Sequence, residues 1–140
     1  MAQNVVLYAE DEEDDALLLK LAFEKVGLNQ TLLVVDDGEA AIEYLSGTGQ
    51  FADRSQFPLP SLVLLDLNIP RVSGLQVLQW IRERPQFSSL PVVIYTSSEQ
   101  PRDITEARQL GANDYIVKPS IMANICDRVR EVKARWLQQA

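Results

Sequence analysis

Short apolar runs alternate with amphipathic helical segments along the whole chain, and this order restricts the possible folds more than any other feature. The runs are rich in branched side chains: Val5 to Tyr8, Thr31 to Val35, Leu62 to Leu65, Val92 to Tyr95 and Tyr115 to Val117. Apolar runs of this length are typical of strands that helices cover on both faces. Parallel neighbours need a crossover segment, so strands alternating with helices predict a parallel sheet. We therefore expect an α/β, doubly wound fold.

The intervening segments show apolar residues three or four positions apart, which predicts five helices. We expect these helices to begin near Asp14 and end at Gly27, to span Gly38 to Leu45, to follow Gly74 as far as Pro85, to end at Gly111, and to run from Ile121 to Trp136 as the longest. The pattern lapses between Ser46 and Pro60, where glycine, proline and serine are frequent. This stretch is predicted to be a long surface loop.

The size and charge of the chain exclude several classes of function. With 140 residues it is expected to form one domain, residues 1 to 140, without a second folded unit. A net charge of -7 disfavours nucleic acid as a partner, because such binding depends on Lys and Arg contacts with phosphates. No segment resembles a signal peptide or a membrane span, so we expect a cytoplasmic protein without a membrane partner.

The absence of histidine narrows the chemistry further. Without histidine the chain can hold no imidazole-based zinc site and no Ser-His-Asp or Cys-His catalytic set. The single cysteine, Cys126, can form no internal disulfide, and its place in an apolar helix stripe is typical of a packed thiol. The chain also cannot carry a phosphohistidine. If it takes part in phosphoryl transfer, the donor must therefore be another molecule.

Polar side chains that could carry chemistry follow the predicted strands directly. Glu10 and Asp11 follow the first strand, Asp66 the third, Thr96 the fourth and Lys118 the fifth. Ligands of open parallel sheets bind beyond the carboxyl ends of the strands, so we expect these side chains to converge. Carboxylates within about 4 Å of one another would repel by roughly 4 kcal/mol per pair, which calls for a cation. Mg²⁺ prefers such hard oxygen ligands.

The same edge could accept a phosphoryl group. A carboxylate can act as the nucleophile and form an aspartyl phosphate when nearby cations neutralise the transferred charge. We expect Asp66 to be this nucleophile, Lys118 and Mg²⁺ to neutralise the charge, and Thr96 to donate a hydrogen bond to the phosphoryl group.

At these positions the sequence resembles the response-regulator receiver family, of which CheY is a type. The resemblance rests on the run Val5 to Asp11, on the segment Leu64 to Pro70 with Gly74 beyond it, on Thr96-Ser97, on Tyr115 and on Lys118-Pro119. It covers nearly the whole chain. It implies a flavodoxin-like (βα)5 domain with strand order 2-1-3-4-5, and a bond before Pro119 that is often cis in the family.

The resemblance also implies roles for the site residues. Phosphorylation of Asp66 by a sensor histidine kinase is expected, with magnesium held by Glu10, Asp11, Asp66 and the backbone carbonyl of Asn68. Thr96 and Tyr115 would be the switch pair that alters the surface for a downstream protein target. The chain would then be a phosphoacceptor that assists its own phosphorylation and dephosphorylation rather than an enzyme.

A narrower resemblance, to response regulators paired with bacterial phytochromes, rests on the long loop, the acidic N-terminal stretch and the Trp136-Leu137 ending. Ser120 departs from the aromatic residue that many receivers carry after the Lys-Pro pair. A homodimer through the fourth helix, fifth strand and last helix is a further expectation. Trp136 could equally cover the end of the domain or lie in that dimer seam.

Structural interpretations compete for several residues. Glu12 to Asp15 are typical of charges at a helix N-terminus, and Asp36 and Asp37 of turn and capping residues. Rival functions are a haloacid dehalogenase-type phosphatase, which needs a second acid where Asn68 stands, and a flavin-binding flavodoxin, which needs a phosphate-cradling loop where the acids stand. A receiver fold that binds partners without phosphate is the remaining alternative.

Overall fold

The computed structural model describes residues 5–137. They form one parallel five-stranded sheet of order β2-β1-β3-β4-β5, which confirms the predicted fold class and strand order. The strands are β1 Val5–Ala9, β2 Thr31–Val35, β3 Leu62–Leu65, β4 Val92–Thr96 and β5 Asp114–Val117. The α-helices are α1 Glu13–Val26, α2 Gly38–Ser46, α3 Gly74–Arg82, α4 Pro101–Gln109 and α5 Met122–Val132.

The sheet register places the functional strand ends next to one another. Ala9 pairs with Leu65, so the residues that follow them, Glu10 and Asp66, leave the sheet side by side. At the other side of β3, the carbonyl of Thr96 accepts a hydrogen bond of 2.7 Å from the backbone N–H of Lys118. Four of the predicted site residues therefore leave adjacent strands at one edge.

Alternate residues of the strands build two apolar layers, one on each face of the sheet. Leu7 packs into the layer beneath α2, α3 and α4, whereas Tyr8 packs into the layer beneath α1 and α5. Every residue of β1 is buried, as expected for a central strand. Cys126 is a buried free thiol in the second layer, which confirms its packing role, and Trp136 packs against the same layer.

The segment between α2 and β3 is more ordered than its composition suggested. It contains a 3-10 turn, Gly49–Phe51, whose Phe51 is buried against the Tyr44 ring. The Arg54 guanidinium donates hydrogen bonds of 2.8 to 3.1 Å to the carbonyls of Tyr44, Leu45 and Phe57. Arg54 thereby satisfies carbonyls at the end of α2, which otherwise have no partner within the helix. The prediction of a long surface loop is therefore incomplete.

The last helical segment is the longest, as the sequence predicts, but it is not α-helical throughout. α5 has 11 residues and continues directly into a five-residue π-helical turn, Lys133–Leu137, so the whole segment is longer than the 14 residues of α1. The apolar spacing continues through this turn, so it could not reveal the change in hydrogen bonding. Within residues 5–137, no helix combines the length and apolar character that crossing a bilayer requires.

Candidate functional site

Lys118 lies at the centre of a cluster of carboxylates at the carboxyl edge of the sheet. Its Nζ donates hydrogen bonds to Asp66 Oδ2 at 2.7 Å and to Asp15 Oδ2 at 2.8 Å, and it also contacts the Glu10 carboxylate. Only 7% of the lysine side chain is exposed. An ammonium has three N–H donors, so each donor faces a different carboxylate.

The Asp66 carboxylate is buried and receives hydrogen bonds at both oxygens. Oδ2 faces Lys118, while Oδ1 accepts bonds from the Thr96 hydroxyl at 2.8 Å and from the Asn68 backbone N–H at 3.2 Å. Thr96 is itself fully buried. Asp66 is thus held in one orientation by donors from three different segments.

Glu10 is buried as deeply, and its carboxylate is satisfied by a residue that the sequence placed in the core. The Tyr8 hydroxyl donates to Glu10 Oε1 at 2.8 Å, and the Glu12 backbone N–H donates to Oε2 at 3.2 Å. Tyr8 lies two residues earlier on the same side of β1, so its ring fills the apolar layer and its hydroxyl reaches the site.

The ionisation of the cluster follows from burial and from the central ammonium. Burial opposes ionisation of Asp66, but the bonds from Lys118 and Thr96 outweigh it and hold the pKa of Asp66 below its usual range. Burial raises the pKa of Glu10, and the bonds from Lys118 and Tyr8 offset this only in part. Burial also opposes the charge of Lys118, yet its bonds to the carboxylates raise its pKa above the usual range. Counted as formal charges, three carboxylates around one ammonium leave two excess negative charges.

The structure brings together four of the predicted residues, Glu10, Asp66, Thr96 and Lys118. Asp11 is exposed and, among the hydrogen bonds and ion pairs of residues 5–137, its side chain takes part in none. In the same range no three carboxylate, His or Cys side chains are grouped to hold a metal ion by themselves. The metal-ligand set therefore stays a prediction that includes the Asn68 carbonyl.

Asp15 is the site residue that sequence interpretation missed. It was assigned with Glu12 to Asp14 to helix N-terminal charge, and it does lie in the first turn of α1, but that assignment is incomplete because its carboxylate also contacts Lys118. The sequence did contain an indication of this role, because Asp15 lies in the first turn of the helix that follows β1, and β1 ends at the site. Asp37, by contrast, is a confirmed helix cap, since its Oδ1 accepts the Ala40 N–H at 2.7 Å.

The segment after Asp66 folds back tightly over it. A Cβ on Gly74 would lie 2.2 Å from the Asp66 carbonyl oxygen, so only glycine fits at the start of α3. The preceding Ser73 caps α3 through the Gln76 N–H, and the Gln76 side chain bonds back to Ser73. The sequence has a glycine eight positions after Asp66, and the close approach of the two backbone segments explains why glycine stands there.

Tyr115, the predicted switch aromatic, is connected to the site through Ser98. The Tyr115 hydroxyl donates to the Ser98 carbonyl at 3.0 Å, and the Ser98 hydroxyl donates to Asp103 at 2.5 Å. Ser98 lies two residues after Thr96, so the loop after β4 joins the two predicted switch positions. The Lys118–Pro119 bond is trans, which differs from the bond that the family often shows.

The comparisons with known proteins identify the family of the chain. The family model described as the response regulator receiver domain matches residues 6–130. The probable methanogenesis regulatory protein FilR2 from Methanothrix harundinacea is 34% identical over 136 residues, which cover 95% of this chain and 83% of FilR2. The response regulator Rcp1 from Synechocystis sp. is 30% identical over 135 residues, which cover 96% of this chain and 90% of Rcp1.

Solved structures are similar over nearly the whole chain. The response regulator RPA3017 in red light signaling of R. palustris has a TM-score of 0.91 at 37% identity, covering 98% of this chain and 96% of its own. The phosphorylated cyanobacterial phytochrome response regulator RcpA has a TM-score of 0.88 at 30% identity, covering 99% and 97%. The Mn(2+)-bound form of Rcp1 has a TM-score of 0.85 at 29% identity, covering 98% and 96%. The fold, the family match and these relatives show that the chain belongs to the response regulator receiver domains of two-component systems.

Proposed function

We propose that Asp66 is the residue that accepts the phosphoryl group, with a sensor histidine kinase as the donor. The observation that carries this proposal is the state of its carboxylate, which is buried, kept ionised by a depressed pKa, and oriented by Lys118 and Thr96. An ionised and fixed carboxylate is what an attack on phosphorus requires. The phosphorylated form of the similar protein RcpA supports the assignment of this chemistry.

The transfer itself needs little covalent chemistry from the chain. An Asp66 oxygen forms a bond to phosphorus while the bond between phosphorus and the donor nitrogen breaks, and the donor imidazole keeps that electron pair. The Lys118 ammonium, which faces Asp66 Oδ2, is placed to bond an oxygen of the transferred group. The Thr96 hydroxyl can turn from Asp66 Oδ1 to donate to another. The chain thus assists its own modification without turning over a separate substrate.

The residues at this edge fit a divalent cation, and we propose Mg²⁺. The carboxylates of Glu10, Asp11 and Asp66 and the carbonyl of Asn68 are all hard oxygen donors, the ligand type that Mg²⁺ prefers. The two excess negative charges around Lys118 match the charge of such an ion. When bound, the ion would neutralise charge on the phosphoryl oxygens. Rcp1, with its bound Mn²⁺, supports a divalent ion at this kind of site.

Incubation with acetyl phosphate should test the proposal directly. We expect the intact mass to increase by one phosphoryl group when Mg²⁺ is present, and to stay unchanged with a chelator, because the clustered carboxylates repel an anionic donor. Mass spectrometry after digestion should locate the group on the peptide that contains Asp66. No mass increase over a range of Mg²⁺ concentrations would contradict the proposed phosphoacceptor role.

For partners, we propose a bacteriophytochrome-type sensor histidine kinase upstream and protein binding downstream. The similar structures described as phytochrome or red-light response regulators support the upstream partner. A homodimer through α4, β5 and α5 is the second part of this proposal; β5 is an edge strand there, and Val117 on it is partly exposed. Sedimentation that shows only monomer at high concentration, with and without phosphate, would exclude the dimer.

We further propose that Thr96 and Tyr115 transmit the phosphorylation state to the surface. Thr96 and Lys118 already bond to Asp66, so phosphorylation exchanges these bonds for stronger ones rather than adding new ones. The available free energy is therefore the difference between two sets of charge-assisted bonds, each worth about 1.5 to 3 kcal/mol. Such a difference shifts populations incompletely, since full inversion of a two-state equilibrium needs about 5.5 kcal/mol.

Replacing Thr96 with Ala should leave phosphorylation largely intact but uncouple Tyr115 from it. The variant lacks the hydroxyl that responds to the new group, while Asp66 and Lys118 remain. Wild-type protein is expected to change the environment of the Tyr115 ring on phosphorylation, as measured by ¹⁹F NMR of fluorotyrosine-labelled protein. Tyr8, Tyr44 and Tyr95 are buried, so the more exposed Tyr115 can be distinguished from them. If phosphorylation changed the ¹⁹F signal of Tyr115 equally in Thr96→Ala and in wild type, the switch assignment would be wrong.

A further inference from the structure

The first turn of α1 supplies the carboxylate of Asp15 to the Lys118 ammonium. The Nζ–Oδ2 distance is 2.8 Å, comparable with the 2.7 Å between Lys118 and Asp66. The Asp15 side chain is 35% exposed, whereas the Glu10 side chain is fully buried. Asp15 is therefore the outermost of the three acceptors and the only one carried by a helix.

The phosphorylation cycle, on which this inference rests, occupies the two inner acceptors. Asp66 loses its carboxylate character once an oxygen bonds to phosphorus, and Glu10 is assigned to the divalent ion. Asp15 has neither task. Two of the three bonds that now orient the Lys118 ammonium would thus be exchanged during the cycle, and the third, to Asp15, would persist.

We propose that Asp15 is a positioning residue that holds the Lys118 ammonium beside Asp66 throughout the phosphorylation cycle. A lysine side chain has four rotatable carbon–carbon bonds, so an ammonium without a fixed partner would spread over many rotamers. The Asp15 bond limits Lys118 to the one arrangement that faces the reacting oxygen. Its contribution is orientation, since Asp15 itself touches neither donor nor phosphoryl group.

Asp14 offers a matched control. It lies in the same first turn of α1, carries the same charge and is exposed, but Lys118 bonds to Asp15 instead. The variants Asp14→Asn and Asp15→Asn both remove one negative charge from the helix N-terminus, so they lose similar helix-dipole stabilisation. Any difference between them reports the bond to Lys118.

The first measurement needs no phosphodonor. In ¹⁵N-labelled protein, hydrogen bonds and burial should protect the Lys118 Nζ protons from exchange with water, which gives an observable side-chain signal. We expect this signal in wild-type protein and in Asp14→Asn, and its broadening or loss in Asp15→Asn. Equal Lys118 signals in the two variants would overturn the positioning role.

The second measurement is the rate of phosphoryl incorporation at saturating Mg²⁺ and acetyl phosphate. We expect Asp15→Asn to be slower by about twofold to fivefold, the size of one partly exposed charged bond, and Asp14→Asn to match wild type. If Asp15→Asn only raised the Mg²⁺ concentration needed for half-maximal rate, Asp15 would be a remote charge and the inference would fail. If wild-type protein took up no phosphoryl group, the proposed function would fail. The contact between Asp15 and Lys118 would then be tested by the Lys118 signal alone.

Discussion

The Asp66→Asn variant should lose phosphoryl incorporation from acetyl phosphate, with the rate falling by at least about a thousandfold. The amide oxygen of Asn can still accept the Thr96 hydroxyl, whereas the amide NH2 that replaces Oδ2 cannot accept the bond from Lys118. An amide also has no negative charge and is a poor nucleophile, so the step that forms the bond to phosphorus is removed. Intact mass spectrometry over a time course, with Mg²⁺ present, measures this directly.

Asp36 provides the matched control for this experiment. It follows β2 at the same edge of the sheet and is exposed, so Asp36→Asn makes the same chemical change outside the cluster. This variant should take up one phosphoryl group at a rate within about twofold of wild type, because a screened surface charge contributes little. Retained incorporation in Asp66→Asn, or its loss in Asp36→Asn, would show that the phosphoryl group is carried elsewhere.

The order of strands and the convergence of their ends could be predicted from the sequence because both depend on local patterns. Each apolar run predicts a buried strand, and the carboxyl ends of parallel strands all lie at the same edge of the sheet. The positions of Asp66, Thr96 and Lys118 directly after such runs therefore predict that these residues lie together. Their hydrogen bonds to one another agree with that placement.

The contacts that could not be predicted depend on how a helix or a loop is oriented over the sheet. Asp15 contacts Lys118 across 103 positions of sequence, and only the angle at which α1 leaves β1 decides which of four consecutive acids reaches it. Arg54 bonds to three backbone carbonyls, and because every residue has a backbone carbonyl, the pattern of side chains cannot indicate these bonds. Tyr8 counted as an apolar strand residue, although its hydroxyl serves Glu10. Tertiary geometry, rather than periodicity, determines each of these.

The Lys118→Met variant should have a free energy of unfolding about 3 to 5 kcal/mol below wild type at neutral pH. Methionine fills a similar volume but leaves the buried carboxylates of Glu10 and Asp66 without their cation, and an uncompensated buried charge is strongly destabilising. Urea denaturation measures the difference. Lys20, an exposed lysine on α1, is the control: Lys20→Met should change stability by less than about 0.5 kcal/mol.

The deficit of Lys118→Met should depend on pH and on divalent ions in ways that a packing defect would not. In wild type the depressed pKa of Asp66 contributes stability above the ordinary carboxyl pKa of about 4, and this is lost as the pH falls through the lower folded value. The raised pKa of Lys118 contributes stability below the ordinary lysine value, and this stability is lost as the pH rises through the folded value.

Without the lysine, burial should favour protonation of both carboxyls, so the deficit should shrink as the pH falls toward the carboxyl range. Mg²⁺ should likewise stabilise the variant more than wild type, because it replaces a missing positive charge among the same oxygens. A deficit that is constant with pH and insensitive to Mg²⁺ would mean that Lys118 stabilises the fold by packing alone.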